Sequence, residues 1–221
     1  MKIFDRVKQN KEVLIYLKQC DENFKALGYT EQGILHAEFT SQQVYNILYK
    51  LNYPLIDIDI AMTAGFLHDI GCCVSYKDHA QNGTFIANRL LSKINVENEI
   101  KIKILSIIGS HEDTDIDMFP ISEIAAAVTI ADKTDVRRQR VIKTDFKYFD
   151  QYDRVHYAVV NNKIEVISTQ NTLKLELIID ENICSVLEYF ELFLSRINFC
   201  KKAAGKLGLK FELYINEIRY L

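Results

Sequence analysis

The side chains best suited to chemistry in this sequence are a small set of histidines and aspartates. The 221-residue chain has only five histidines. Imidazole and carboxylate groups together are ligands that first-row divalent metals prefer. Ligands near the ends of neighbouring helices can converge on one point inside a helical bundle. The sequence therefore predicts a buried metal centre built from six residues: His36, His68, Asp69, His79, His111 and Asp132.

Two of these positions have local features that favour a ligand role. His68 and Asp69 are adjacent, and neighbouring residues on a helix point about 100° apart. Both can reach one metal only where the helix ends, and Gly71 is the predicted end. Asp132 falls in an almost wholly apolar predicted helix, where a carboxylate needs a cation or a partner. The alternative for Asp132 is an ion pair with Lys133 or Arg137, of which Arg137, about one turn further along, is better placed on a helix.

The order and context of these residues resemble the HD superfamily of metal-dependent phosphohydrolases. That superfamily is named for a His…His-Asp…Asp signature on a helical bundle, and the segments GILHAEF, AGFLHDIG and TIADKTD are similar to it. The similarity covers about residues 30–140. It implies one metal ion bound by four residues: His36, His68, Asp69 and Asp132.

Two further histidines resemble the additional ligands of binuclear HD proteins. They are His79 in KDHAQNG and His111 in IIGSHED. The resemblance implies a second metal ion on these histidines, with Asp69 as a ligand of both ions. The expected cofactors are therefore two divalent ions of iron, manganese or another first-row metal. Without a metal, His79 would be a helix-start residue and His111 a partner of a helix C-terminus.

Catalytic and substrate-binding roles can be assigned around this centre. Asp69 and Lys133 are the predicted catalytic residues, because Asp69 can orient a water and Lys133 can contact an anionic substrate. The predicted substrate-binding residues are three other basic side chains: Lys77, Arg137 and Arg138. Surface solvation or pairing with Asp135 is the alternative for these side chains. Glu112 and Asp113 are either partners of the ligands or solvated loop acids.

Hydrophobic periodicity predicts helices through the first two thirds of the chain. The expected helices span 6–27, 36–52, 78–93, 97–110 and 121–140. A further helix, between the second and third of these, is expected to be capped by Asp57 or Asp59 and to end at Asp69. The apolar run Ile124–Ala131 predicts a central, buried helix.

The pattern changes near residue 150. Arg154–Val160 and Lys163–Thr169 flank Asn161-Asn162, a dipeptide typical of a tight hairpin turn. His156 would then be a structural residue on a strand. A strand, a helix and a last strand follow at 173–179, Ile183–Ala204 and Leu209–Ile215. The expected fold is mainly α, with an HD-type helical domain at 1–148 and a small α+β domain of β-β-β-α-β order at 149–221.

Composition limits the binding partners and the cell compartment that are expected for this protein. The formal net charge of −3 gives no strong attraction to nucleic acid or to anionic membranes. The chain has no run of about 18 apolar residues and no apolar region typical of a secretory signal, so no membrane span is expected. Five cysteines without CxxC spacing favour a reduced, cytoplasmic setting. A homodimer is compatible with all of these features.

The predicted function is hydrolysis of a phosphoester or phosphoanhydride, with a small phosphorylated substrate, a nucleotide. The similarity extends to bacterial HD enzymes that split dinucleoside polyphosphates, in which the segment IADK also occurs. Two alternatives stay open. Some binuclear HD proteins use the same six ligands for a di-iron oxygenase, and others bind nucleotides as non-catalytic sensors. The role of the C-terminal domain is also open.

Overall fold

The computed structural model describes residues 2–31, 33–112 and 120–221, and helix is the dominant structure. Within these residues the first part of the chain forms seven helices: α1 Ile3–Lys8, α2 Lys11–Leu27, α3 Ile34–Lys50, α4 Leu55–Leu67, α5 His79–Lys93, α6 Asn98–Ser110 and α7 Glu123–Lys133. Short 3₁₀ turns cover Ile70–Cys73, Arg138–Arg140 and Phe146–Tyr148. No helix in the described ranges is long and apolar enough to span a bilayer.

The second part combines two helices with one sheet. Its elements are α8 Gln151–Ala158, β1 Val159–Ile167, β2 Thr172–Ile179, α9 Val186–Lys206, β3 Lys210–Ile215 and β4 Ile218–Arg219. The strands lie in the order β1-β2-β3-β4. β1 pairs with β2 and β3 with β4 in antiparallel fashion, whereas β2 and β3 are parallel and are joined through α9. The predicted fold class, a mainly α bundle followed by a small α+β part, is confirmed.

The centre of the bundle is formed by α4 and α7. α4 is buried over most of its surface, and every residue of α7 from Ala125 to Asp132 is buried. The expectation of a central helix at Ile124–Ala131 is therefore confirmed. Small side chains such as Ala126 and Ala127 let neighbouring helices approach closely, which brings their ends together.

The N-terminal helix predicted over 6–27 is two helices. Asn10 interrupts it, because its side chain accepts hydrogen bonds from the backbone N–H groups of Glu12 and Val13 and so begins α2. Gly28, with a φ of 75°, ends α2 as expected. Asp59 does not cap its own helix; its carboxylate accepts from the first residues of α1 instead.

The helix predicted over 121–140 is shorter than expected. α7 ends at Lys133, after which Thr134 donates its hydroxyl to the carbonyl oxygen of Ile130. Asp135 then accepts from the Arg137 side chain, 2.6 Å away, instead of continuing the helix. Polar side chains that bond locally compete with the helical backbone in this way.

The predicted hairpin at Asn161-Asn162 is wrong. Gln151–Ala158 is helical, and both asparagines lie inside β1. The cause is a capping box in which the Asp150 side chain accepts from Asp153 N–H and Asp153 accepts from Asp150 N–H. The chain reverses at residues 168–171, so the order is β-β-α-β-β and His156 is buried on α8.

The long helix α9 connects the two parts. It packs against α7 on one side and β3 on the other. Its buried residues Tyr189, Phe193 and Ile197 belong to the same hydrophobic core as α4 and α7. The division of the chain at residue 148 therefore stays a prediction.

Candidate metal centre

The six predicted ligands converge inside the bundle, and all six are buried. Each comes from near the end of a helix: His36 from the first turn of α3, His68 and Asp69 directly after α4, His79 from the start of α5, His111 directly after α6 and Asp132 from the last turn of α7. Helix packing thus brings together residues that are distant along the chain.

Four of these side chains form a first group of ligand atoms. The Nε2 atoms of His36 and His68 are 3.2 Å apart. Asp69 Oδ2 is 3.7 Å from His36 Nε2 and 3.3 Å from His68 Nε2. Asp132 Oδ1 is 3.4 Å and 3.7 Å from the same two nitrogens.

The other oxygen of Asp69 faces a second group. Asp69 Oδ1 is 3.1 Å from His79 Nε2 and 3.4 Å from His111 Nε2. These two nitrogens are 3.1 Å apart. One carboxylate therefore contacts both pairs of histidines with different oxygen atoms.

These separations fit metal ligation. Ligand atoms that are each about 2.0–2.2 Å from one metal ion are about 2.8–3.6 Å apart at neighbouring positions and up to about 4.4 Å apart at opposite positions. The distances within both groups, from 3.1 Å to 3.7 Å, lie within these limits. The residues present are thus suited to divalent metal ions.

The outward ring nitrogens of the four histidines support the same conclusion. Carbonyl oxygens of Gly65, Tyr76 and Ile108 accept from Nδ1 of His68, His79 and His111 at 2.6–2.8 Å, and Asp135 Oδ2 accepts from Nδ1 of His36 at 2.8 Å. A proton on Nδ1 leaves a lone pair on Nε2. The Nε2 atoms face one another in pairs, so these lone pairs are directed to positions where a cation would be bound.

The carboxylates of the site favour positive charge at His68 and His79. Burial opposes protonation of His68, but the carboxylates of Asp69 and Asp132 outweigh it and raise the pKa of His68 to about 10. Burial also opposes protonation of His79, and Asp69 and Glu112 raise its pKa to about 10. Burial acts against ionisation of Asp69 as well, yet the surrounding histidines hold its pKa well below the ordinary value.

Asp135 is a functional residue that the sequence prediction did not include as a ligand partner. It is fully buried and fixes the His36 ring through Nδ1. Arg137 holds Asp135 with two hydrogen bonds of 2.6 Å and 3.0 Å. Its position three residues after Asp132, within TIADKTD, is a usable sequence signal, because such spacing brings residues together at a helix end.

The start of α3 is held by another buried acid. Glu31 accepts hydrogen bonds from the backbone N–H groups of Gly33, Leu35 and His36. The buried Arg140 donates to the carbonyl oxygens of Glu31 and of Asp135. The backbone that carries His36 is therefore fixed independently of its ring.

The position of Glu112 agrees with one of its two predicted roles, that of a partner of a ligand. Its Oε2 is 2.9 Å from His79 Nδ1, and its side chain is about one-third exposed. It is a partner of a candidate ligand at the solvent side of the centre. Asp113, named with it from the sequence, lies outside the described residues.

Lys133 lies at the edge of the first group. Its Nζ is 2.8 Å from Asp132 Oδ2, and its side chain is mostly buried. Burial lowers the pKa of this amine, but Asp132 outweighs it, so the pKa is raised and Lys133 is a cation.

The three predicted substrate-binding residues are not gathered at one place. Arg137 is paired with Asp135 and stacks on the Phe39 ring at 3.8 Å. Arg138 donates to the carbonyl oxygen of Tyr157 and stacks on that ring. Lys77 is exposed and lines a surface cavity with Tyr76.

Gly71 does not end α4 as predicted. α4 ends at Leu67, and Gly71 lies inside the 3₁₀ turn Ile70–Cys73. A Cβ atom at Gly71 would be 2.0 Å from the carbonyl oxygen of His79 and 2.6 Å from the nitrogen of Gly83. Glycine therefore lets this turn press against α5, which brings Asp69 and His79 together.

Residues 36–137 match the family model described as HD domain. That range begins at His36 and includes all six candidate ligands. No curated protein matches the chain.

Proposed function

We propose that this protein hydrolyses a phosphoester or phosphoanhydride bond in a nucleotide, because residues 36–137 match the HD-domain family model and HD domains are generally metal-dependent phosphohydrolases. The observation that carries the proposal is the shared carboxylate. Asp69 directs one oxygen to His36 and His68 and the other to His79 and His111. Two groups that meet at one carboxylate suit two metal ions.

In this proposal one ion is held by His36, His68, Asp69 and Asp132, and the other by His79, His111 and Asp69. When bound, two such ions supply a water that is deprotonated near neutral pH and positive charge for the phosphoryl oxygens. All six of these side chains are nearly inaccessible to solvent.

The protein itself contributes orientation and charge. Asp69 would hold both ions and help to orient the water that they activate. Lys133 provides a positive charge beside Asp132. An anionic phosphate there would have this charge as a partner in addition to the metal ions. Glu112, partly exposed beside His79, can carry the proton that leaves the site.

The first test is metal content together with phosphate release. The purified protein should contain two metal ions per chain and should release phosphate or a nucleotide from at least one of three groups of compounds: dinucleoside polyphosphates, mononucleotides and cyclic dinucleotides. The double variant His79→Ala/His111→Ala should lose one ion and keep the other.

Two results would contradict the proposal. Full metal occupancy without turnover of any phosphorylated compound would favour a nucleotide sensor. Oxygen consumption by an iron-loaded protein that releases no phosphate would favour the oxygenase alternative.

A further inference from the structure

A cavity with aromatic walls lies beside the metal centre. It has a volume of about 250 Å³, and its lining includes four aromatic residues, Phe24, Tyr29, Tyr76 and Tyr152. Arg196 and Asp150 also line it, and the Asp150 carboxylate is paired with Lys143 at 3.0 Å. A larger surface hollow of about 570 Å³ shares Phe24, Tyr29 and Tyr76 with it. Binding sites for small molecules are typically hollows of this kind, mostly aromatic with few polar groups.

Tyr76 connects this cavity to the metal centre. Its ring stacks on the His79 imidazole with centroids 5.6 Å apart and an interplanar angle of 14°. Phe24 packs edge-on against Tyr76 at 5.7 Å, and Tyr29 lies 6.4 Å from the same ring. One wall of the cavity is therefore in contact with a candidate metal ligand.

The three tyrosines leave ring surface free for a ligand. Tyr29, Tyr76 and Tyr152 are each about half exposed, at 48%, 50% and 50%. Flat, accessible rings around a hollow suit another flat ring, and every nucleobase has such a face.

Arg196 supplies an available positive charge. Within the described part of the chain it forms no ion pair and no hydrogen bond, and its guanidinium lies over Phe193 at 4.9 Å. Lys133, Arg137 and Arg138 each already have a polar partner. A guanidinium pairs well with phosphate oxygens, so Arg196 is suited to the phosphate of a ligand whose ring fills the cavity.

We propose that this aromatic cavity binds the base of the nucleotide and that Arg196 binds its phosphate. The proposal rests on the proposed function only in placing the reacting phosphate at the metal centre. It also gives a role to the C-terminal part of the chain, because Tyr152 lies on α8 and Arg196 on α9.

The test compares ligands with and without a base. Binding of the four common nucleoside 5′-monophosphates and of ribose 5-phosphate to the metal-loaded protein is measured by titration calorimetry, and the ligands are checked afterwards for integrity. At least one nucleotide should bind about tenfold more tightly than ribose 5-phosphate, because stacking of a base on an aromatic ring adds binding free energy of that size.

Variants separate the contributions of the ring and the charge. Tyr152→Ala should remove most of the preference for the nucleotide, and Tyr29→Ala should do the same if Tyr152→Ala fails to fold. Arg196→Gln should weaken the binding of the nucleotide and of ribose 5-phosphate to the same extent. Tyr148→Ala is the matched control, because Tyr148 is an exposed tyrosine near α8 that does not line the cavity.

Equal affinity for nucleotides and ribose 5-phosphate would overturn the inference, as would an unchanged preference in both tyrosine variants. Hydrolysis of phosphate esters that lack a base would then still support phosphohydrolase activity, but not a nucleotide substrate. Conversely, base-dependent binding without any hydrolysis would contradict the proposed function and leave the base site in place.

Discussion

Asp135 stays ionised in the protein interior because several donors surround it. Burial raises the cost of its charge, but His36 and Arg137 donate to its oxygens and hold its pKa far below the usual range. The same hydrogen bond fixes which nitrogen of His36 carries the proton. Asp135 is thus a positioning residue that acts through His36.

Asp135→Asn should weaken the binding of one metal ion and leave the binding of the other unchanged. The amide keeps the size of the side chain but removes the negative charge that fixes the His36 tautomer. A loss of metal affinity of about 10- to 100-fold is expected for the ion on His36. Chelator competition with metal counting measures it.

Asp145→Asn is the matched control, because Asp145 is an exposed carboxylate that pairs with Lys147. Thermal unfolding checks that both variants are folded. Unchanged affinity for both ions in Asp135→Asn would show that the hydrogen bond does not position His36.

The candidate ligands and the partner Glu112 could be identified from sequence, whereas the position of Arg196 could not. His68-Asp69 and Asp132 have a fixed order and local context, and the metal requires these residue types. The role of Arg196 depends on α9 reaching the cavity beside Tyr76, and that contact joins residues far apart along the chain. No local pattern reports such a contact.

At the scale of elements, the turn after α4 determines how closely the two ligand groups meet. Ile70–Cys73 is a tight 3₁₀ turn, and its backbone touches the first turn of α5 at Gly71. The contact joins backbone to backbone, so no side-chain movement could make room for a larger residue.

Gly71→Ala should therefore destabilise the fold by about 3 kcal/mol and weaken metal binding at His79. The added methyl group must push the turn away from α5, which separates Asp69 from His79. Gly205→Ala is the control, because nothing lies within 4 Å of a Cβ there and the residue is inside α9. That variant should gain about 0.5–1 kcal/mol. Denaturant unfolding measures both, and equal stability of the two variants would refute the close-contact explanation.

Helix prediction succeeded where one apolar face was long and failed where side chains bind the backbone. α5 and α6 lie within one residue of their expected bounds. Gln151–Ala158 has apolar residues at both alternating and helical spacings, so periodicity alone did not separate strand from helix. Asp150 and Asp153, at capping-box spacing, favour the helix, and this spacing is visible in the sequence.

At the scale of the whole molecule, the bundle and the sheet share one hydrophobic core. α9 supplies Phe193, which is 1% exposed and contacts His156 and Tyr189. Polar contacts also join the two parts: Asn162 donates to the Thr134 carbonyl oxygen, and Ser168 donates to that of Lys50. A core that crosses the expected boundary near residue 148 opposes separate unfolding of the two parts.

We therefore expect a single unfolding transition in urea. Circular dichroism of the helices and release of bound metal should follow the same curve, because loss of the C-terminal part exposes α7, which carries Asp132. Phe193→Ala should shift both curves equally, by about 3–5 kcal/mol, since a large buried ring is removed. Leu194→Ala, the next residue on α9 and 52% exposed, should change stability by less than about 0.5 kcal/mol. Two separate transitions, with metal retained after the first, would instead support independent domains at 1–148 and 149–221.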